Sequence, residues 1–344
     1  MSGVWDCVVV GGGAAGLSAA LVLGRARRRT LIVDAGEQSN RRAEAIGGVL
    51  GHDGRLPDDL YRIGQEELRV YASVEFRPGR VVTVTGRGAT FDVDVDDGSR
   101  EGTRALLLAT GMDYRLPDVP GVRERWGRSV FHCPFCHGWE VRDRPLGVLD
   151  RSDRAIERAL LLRFWSDDVT LYANGPLESD ASSRSRLEQA GVEVEERVVR
   201  QLRGPEQGLD AIAFVDGGER TCEALLVPAP LHQRSSLASA LGARAADAAS
   251  PMGPLALDPM FRTSVSRVYA AGDVDAHALP SVASAIAAGS AAAKTVVHDL
   301  VTETVTGPGW TPANHFVTTS ESGTMTHDAE VDRSNGSVEG SGNG

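Results

Sequence analysis

Two cysteines and two histidines stand together in the segment "FHCPFCHGWE". Cys133 and Cys136 have CxxC spacing, with His132 directly before the pair and His137 directly after it. Cysteines this close on a turn can close a strained ring, and such disulfides exchange readily with other thiols. A neighbouring imidazole can take the proton of an incoming thiol or stabilise a thiolate. The pattern therefore predicts a redox-active disulfide with acid–base groups beside it.

A structural zinc site is the competing interpretation of a CxxC pair. Such a site needs four ligands, mostly Cys and His. The other two cysteines, Cys7 and Cys222, both fall in apolar segments that we expect to be core strands, and no CxxH partner is present. We therefore predict no metal at Cys133 and Cys136.

A glycine-rich turn near the N-terminus has the features of a dinucleotide site. In "VVVGGGAAG", Gly11, Gly13 and Gly16 have GxGxxG spacing between an apolar strand and a helix. The first glycine permits the tight turn, the second lets phosphates approach the backbone, and the third allows helix and strand to pack closely. Asp34 ends the next strand, where an acid binds ribose hydroxyls. Strand, helix, second strand and acid together predict a nucleotide site.

Composition and charge narrow the class of protein. The chain has 344 residues and a net charge of −11, which disfavours nucleic acid and anionic membranes as partners. No apolar run approaches the roughly 20 residues of a membrane span, and the N-terminus shows no export signal. Four cysteines in so long a chain do not make a secreted disulfide framework. A cytoplasmic globular protein is expected.

Three segments share a strand–turn–helix pattern, which favours an α/β fold. Continuous apolar strands are typical of a parallel sheet buried on both faces, and an alternating segment between the first two units predicts an antiparallel meander. A Pro/Gly-rich hinge and a second crossing near residue 248 divide the chain. We predict a first domain in 1–116 and 248–306, a second in 117–247, and a polar tail in 307–344 that is largely disordered from about residue 320.

The glycine turn and two later motifs resemble those of the two-dinucleotide-domain flavoproteins. "ALLLATG" ends in Thr110 and Gly111, and "VYAAGD" ends in Gly272 and Asp273. The resemblance implies an FAD-binding Rossmann-like domain plus a smaller NADPH-binding-like domain. It also implies that these four residues bind FAD, with Asp273 near the ribityl chain and pyrophosphate. At the start of the last helix, Val282 would present its backbone N–H to the flavin ring.

The cysteine segment resembles bacterial low-molecular-weight thioredoxin reductases, with His137 where those enzymes carry Asp. With this histidine it is similar to the FAD-dependent dithiol oxidases that close disulfides in natural products of the gliotoxin and holomycin groups. The resemblance implies that Cys136 faces the flavin and Cys133 exchanges with substrate. It further implies that His132 and His137 are the acid–base pair, that Asn40 is a polar group near the cysteines, and that the protein is a homodimer.

The second strand–turn–helix unit, "PLGVLDRSDRAIERALLLRFWSDDVTLYA", lacks the glycine cradle. Asp150, Arg151 and Ser152 replace the glycines, and a Cβ at each position obstructs a phosphate. Asp150 and Asp153 at the helix N-terminus repel a pyrophosphate. We therefore expect this domain to bind no NADPH.

The leading prediction is a dithiol oxidase that forms an intramolecular disulfide in a small molecule and passes electrons through FAD to O2, producing H2O2. The second interpretation is a reductase of protein disulfides that receives electrons from NADPH or ferredoxin. The third is a flavoprotein that binds or senses dithiols without turnover. His137 and the "CPFCHG" context favour the oxidase.

Overall fold

The computed structural model describes residues 3–306. Within this range the strands are short and outnumber the helices. Apolar runs form strands that are buried throughout, and alternating runs form strands with one exposed face. The strands are β1 Trp5–Val10, β2 Thr30–Asp34, β3 Val74–Pro78, β4 Val81–Arg87, β5 Thr90–Val95, β6 Arg100–Leu108, β7 Met112–Tyr114, β8 Val130–Phe131, β9 Leu146–Leu149, β10 Val169–Tyr172, β11 Val192–Glu195, β12 Val199–Arg203, β13 Ala211–Phe214, β14 Glu219–Thr221, β15 Ala224–Leu226, β16 Leu231–Gln233 and β17 Val268–Ala270.

Several helices begin at glycine, proline or a polar residue, which suit the unpaired N–H groups of a first turn. Gly13 precedes α1, proline opens α2 and α4, and Asp180 caps α6 by accepting a hydrogen bond from the Ser183 N–H. The helices are α1 Ala14–Arg25, α2 Pro57–Leu68, α3 Val122–Arg125, α4 Pro134–His137, α5 Ala155–Leu162, α6 Ala181–Gln189, α7 Leu237–Ala240 and α8 Val282–Thr306.

The larger sheet contains the N-terminal glycine turn. Its strand order is β3-β2-β1-β6-β5-β4, with β17 also paired to β6. Strands β1, β2, β3, β6 and β17 are parallel, whereas β4, β5 and β6 form the antiparallel meander that the alternating segment predicted. Because parallel strands present their carboxyl ends at one edge, the residues after β1, β6 and β17 meet there.

Both faces of this sheet are buried, as continuous apolar strands require. Cys7 and Val9 of β1 face α1 and α8, whereas Val8 and Val10 face the meander and the segment that contains α7. Residues along one strand point alternately to the two faces, so a single apolar run fills two cores.

A second, smaller sheet carries the cysteine segment at one edge. Its order is β11-β10-β9-β15-β8, and every pair in it is parallel. The strands β9 and β10 are buried throughout. A three-stranded antiparallel sheet, β12-β13-β14, lies in the same part of the sequence. The α/β architecture with two Rossmann-like sheets agrees with the predicted two-dinucleotide-domain flavoprotein fold.

The chain passes between the two parallel sheets along an antiparallel strand pair. Residues 112–114 of β7 pair with residues 231–233 of β16. Leu237 and Ala238 of α7 already pack in the core of the larger sheet, together with Val8. The chain thus packs on the larger sheet again soon after β16, whereas the predicted domain boundary lies at residue 248.

Two further predictions concern a membrane-spanning helix and the C-terminal tail. Within residues 3–306, none of the helices combines the length and hydropathy that a membrane span requires. The predicted polar tail, 307–344, lies outside the described residues.

Candidate active site

Three glycines shape the turn between β1 and α1. Gly11 has a φ of 104°, and a Cβ there would lie 2.3 Å from the carbonyl oxygen of Ala109. A Cβ on Gly16 would lie 1.8 Å from the carbonyl oxygen of Gly11. A Cβ on Gly13 would come no closer than 3.7 Å, to Cγ of Gln38. The turn thus excludes side chains where strand and helix pack and stays open on its outer side, which fits the phosphates of a dinucleotide.

Asp34, at the end of β2, is tied to this turn by hydrogen bonds. Its Oδ1 accepts from the N–H of Gly12 at 2.9 Å, and its Oδ2 accepts from Nε2 of Gln38 at 3.0 Å. Oε1 of Gln38 is buried and has no hydrogen-bond partner among residues 3–306. An unsatisfied buried acceptor beside a glycine turn fits a donor group on a bound nucleotide. The sequence motif did not indicate Gln38, because the signature extends only to the acid.

Two adjoining cavities run along the carboxyl edge of the larger sheet and share Ala109 and Gly111. The first, which we call the cradle cavity, includes Gly11, Gly13, Asp34, Thr110 and Arg234 in its lining. The second, which we call the cysteine cavity, has no Lys or Arg in the part of its lining that residues 3–306 supply. That lining includes the predicted site residues Asn40, Gly111, His132, Cys136, His137, Gly272, Asp273 and Val282, together with Ser39, Gly47, Tyr61, Tyr114 and Ser281.

Cys133 and Cys136 form a disulfide, with Cα atoms 5.3 Å apart. Cys133 precedes the short helix α4, and Cys136 lies in it. Cys136 lines the cysteine cavity, whereas Cys133 is absent from the residues found to line it. Gly47 packs so closely on this turn that a Cβ there would lie 2.5 Å from the carbonyl oxygen of Cys136. The sulfur pair is therefore held against the larger sheet's loop with Cys136 on the inner side.

A third cavity lies on the other side of the same turn, and Ala45, Cys136 and His137 line both this cavity and the cysteine cavity. Charged side chains dominate the remaining wall, which includes Glu44, Arg128, Glu140, Arg144, Asp210 and Glu223. We call it the polar cavity. Cys136 and His137 thus border two cavities, and the polar cavity has the larger number of charged side chains in its lining.

The two histidines are packed among aromatic rings. The ring of His132 lies 4.6 Å from that of Tyr114 and 5.6 Å from that of Trp126, and His137 stacks on Phe131 at 5.5 Å. Nε2 of His132 and both ring nitrogens of His137 are buried without hydrogen-bond partners in the described part of the chain. Burial lowers the pKa of His132 to about 4 and also lowers the pKa of His137. Both imidazoles are therefore neutral at neutral pH and can accept a proton.

The buried neutral histidine predicts a specific acid sensitivity. The folded pKa of His132 is about 4, below its ordinary value of 6.5, so the unfolded chain takes up the proton first as pH falls. Stability is complete above pH 6.5 and declines between 6.5 and 4. In urea unfolding, His132→Phe should lose less stability between pH 7.5 and 4.5 than the wild type, by on the order of 2–3 kcal/mol.

The matched control for this prediction is His298→Gln, because His298 is exposed on α8. Its pH dependence should follow that of the wild type. Parallel pH profiles for the wild type and His132→Phe would show that His132 titrates normally.

Asp273 and the start of α8 close the cysteine cavity. Asp273 follows Gly272, which has a φ of 86°, and its Oδ2 accepts a hydrogen bond from the Tyr114 hydroxyl at 3.0 Å. Burial raises the pKa of Asp273. Oγ of Ser281 accepts from the N–H of Ser284 at 3.1 Å, which satisfies one free donor of the first turn of α8. The backbone of Val282 thus lies at a helix N-terminus that borders the cavity.

The turn between β9 and α5 differs from the N-terminal glycine turn, because it contains the buried carboxylate of Asp150. Asp150 is 6% exposed, and its carboxylate accepts hydrogen bonds from the N–H and the hydroxyl of Ser152 at 2.9 and 3.0 Å. The guanidinium of Arg158, on α5, also donates to this carboxylate. A side chain and its ion partner therefore fill the place where a second dinucleotide would put its phosphates.

The family model for pyridine nucleotide-disulphide oxidoreductases matches residues 5–289. Thioredoxin reductase aclD of Aspergillus oryzae is 31% identical over 86% of this chain and 96% of the relative. The crystal structure of HlmI superposes with a TM-score of 0.81 at 41% identity, covering 89% of this chain and 95% of that one. An oxidoreductase from Agrobacterium tumefaciens also superposes with a TM-score of 0.81, at 36% identity over 87% of this chain and 99% of its own.

FAD is the cofactor of this family, and the glycine turn with its adjoining cavities fits it. Enzymes of this type act on dithiols or disulfides, and the chain has a disulfide at the cavity wall. The protein is therefore a thioredoxin reductase-like flavoenzyme that belongs to the pyridine nucleotide-disulphide oxidoreductase family.

Proposed function

We propose that the protein is an FAD-dependent dithiol oxidase that forms an intramolecular disulfide in a small-molecule dithiol, with O2 as electron acceptor and H2O2 as second product. The observation that carries this proposal is the contrast between the two turns. The first is open to a dinucleotide, whereas Asp150 and Arg158 fill the second. Without a nicotinamide site, electrons must enter elsewhere, and a dithiol can supply them through Cys133 and Cys136.

Oxidation of the dithiol begins with thiol–disulfide exchange. His132 or His137, both neutral, accepts the proton of the first substrate thiol. The thiolate attacks Sγ of Cys133, the Cys133–Cys136 bond breaks, and Cys136 leaves as a thiolate. We assign the attack to Cys133 because Cys136 lines the cysteine cavity, which the flavin ring would occupy.

The sulfur of the second substrate thiol then attacks the substrate sulfur bound to Cys133, and its proton passes to the departing Cys133 sulfur. This closes the substrate disulfide and releases Cys133 as a thiol, so that two electrons and two protons have moved from substrate to enzyme. Bound FAD would supply the two-electron redox chemistry that carries these electrons from the cysteine pair to O2. Gly11, Gly13 and Gly16 would hold its phosphates, and the residues of the cysteine cavity would surround its ring.

An anaerobic titration of the oxidised holoprotein tests this proposal. Dithiothreitol should bleach the flavin absorbance, whereas NADPH at the same concentration should not. Admission of air should restore the absorbance and yield one H2O2 per dithiol oxidised. Bleaching by NADPH within the mixing time would contradict the proposal and support a thioredoxin reductase.

A reductase of protein disulfides that receives electrons from NADPH or ferredoxin is the second candidate, since relatives such as aclD carry the name thioredoxin reductase. It predicts bleaching by reduced ferredoxin and transfer of electrons to thioredoxin. The homodimer and the cytoplasmic location stay predictions from the sequence.

A further inference from the structure

Tyr61, a residue of α2, makes one hydrogen bond that bears on the cysteine cavity. The side chain is 5% exposed and packs in the core between the larger sheet, α1 and α8. Its hydroxyl lies 2.5 Å from Oδ1 of Asn40. Burial raises the pKa of Tyr61, so its phenol stays protonated. The hydroxyl therefore donates a hydrogen bond to the amide oxygen.

This hydrogen bond determines which way the Asn40 amide faces. An amide whose oxygen accepts from a fixed donor must place its NH2 group on the opposite side. No described residue is found to accept a hydrogen bond from Nδ2 of Asn40, and Asn40 borders the cysteine cavity with Cys136. The two N–H donors of Asn40 are therefore available to a group in that cavity.

An anion in this cavity has few other side chains to stabilise it. Among the described residues the lining includes no Lys or Arg, and His132 and His137 are neutral at neutral pH. The hydroxyl of Tyr114 already donates to Asp273, and that of Ser281 donates to Ser284. Opening the disulfide produces an anion here, because Cys136 leaves as a thiolate.

We propose that Tyr61 is a positioning residue of the redox site: by donating to Oδ1 of Asn40, it fixes the amide so that its N–H groups stabilise the Cys136 thiolate. This inference rests on the redox role of the cysteine pair within the proposed function, and it is independent of the electron acceptor. A hydrogen bond to the charged form favours that form, so its loss makes the thiolate harder to form.

The test measures the apparent pKa of Cys136 in the holoprotein. In a Cys133→Ser background, the rate of alkylation of Cys136 by iodoacetamide is followed against pH by mass spectrometry of the Cys136 peptide. Asn40→Ala should raise the apparent pKa by about 1, and Tyr61→Phe by about half of that. The double variant should show no larger change than Asn40→Ala alone, because both changes remove the same interaction.

Other titratable groups near Cys136 are the same in all these variants. Their effect on the apparent pKa of Cys136 is therefore the same in each variant. These groups are His132, Tyr114 and Asp273 in the cysteine cavity, and His137, Glu44, Arg128, Glu140, Arg144, Asp210 and Glu223 in the polar cavity.

The control is Tyr71→Phe, because the Tyr71 hydroxyl bonds to Arg25 away from the site, and it should leave the pKa unchanged. A second variant, Asn40→Asp, keeps an acceptor for Tyr61 but replaces the donors with a carboxylate, and should raise the pKa by more than 1.

An unchanged pKa in Asn40→Ala or Asn40→Asp would overturn the inference, since Asn40 would then not be the donor. So would an unchanged pKa in Tyr61→Phe, or effects that add in the double variant. None of these outcomes depends on dithiol turnover. If the wild type fails to oxidise dithiols while the pKa shifts appear, the proposed acceptor or substrate is wrong and the positioning role stands.

Discussion

Cys136→Ser is expected to abolish dithiol-dependent O2 uptake, lowering kcat by at least about three orders of magnitude. The variant cannot form the Cys133–Cys136 disulfide, so electrons have no covalent route from substrate to the cavity that Cys136 lines. An oxygen electrode with dithiothreitol as substrate measures this loss. Cys133→Ser should lose activity to a similar degree, because the substrate thiolate then has no disulfide to attack.

The two serine variants also separate the roles of the sulfurs. Cys133, left alone in Cys136→Ser, should react faster with an aromatic disulfide reagent than Cys136 left alone in Cys133→Ser, because bound FAD would cover the cysteine cavity that Cys136 lines. Cys222→Ala is the matched control, since Cys222 is fully buried in the second sheet's core and should not affect turnover. Retained activity in Cys136→Ser would refute a mechanism through the disulfide.

Gly16→Ala is expected to yield protein without FAD. The added Cβ would lie 1.8 Å from the carbonyl oxygen of Gly11, so the turn between β1 and α1 must open and the cradle is lost. The ratio of flavin to protein absorbance after purification measures the effect, and it should fall at least about tenfold.

Two other glycines give graded comparisons. Gly13→Ala should fold, because its Cβ meets nothing closer than 3.7 Å, yet bind FAD more weakly since the methyl group lies where a phosphate would approach. Gly86→Ala adds a Cβ in open space on β4 and should change neither stability nor FAD content. Stoichiometric FAD in Gly16→Ala would mean that the turn is not the phosphate site.

The glycine turn and the cysteine pair could be predicted from sequence because their signals are local. Gly11, Gly13 and Gly16 occupy one turn, and Cys133 and Cys136 bond within one turn of chain. Short motifs consist of residues at fixed local spacing. A few segments were therefore enough to predict the α/β fold, the nucleotide turn and the disulfide.

Contacts between distant segments could not be predicted in the same way. Tyr61 reaches Asn40 across 21 residues, and Tyr114 reaches Asp273 across 159. Tyr61 belongs to an amphipathic helix, and the pattern of that helix predicts only that Tyr61 lies in the core. The strand β16 has only three residues and is likewise recognised only by its pairing with β7.

Asp150 should make the stability and the redox state of the protein independent of the NADPH concentration. A bound nucleotide leaves and returns with its concentration, but a carboxylate held by Ser152 and Arg158 is a permanent occupant. The smaller sheet should therefore melt at the same temperature in any concentration of NADPH. The flavin, in turn, should stay oxidised when the cell's pyridine nucleotides are fully reduced, and respond only to the supply of thiols.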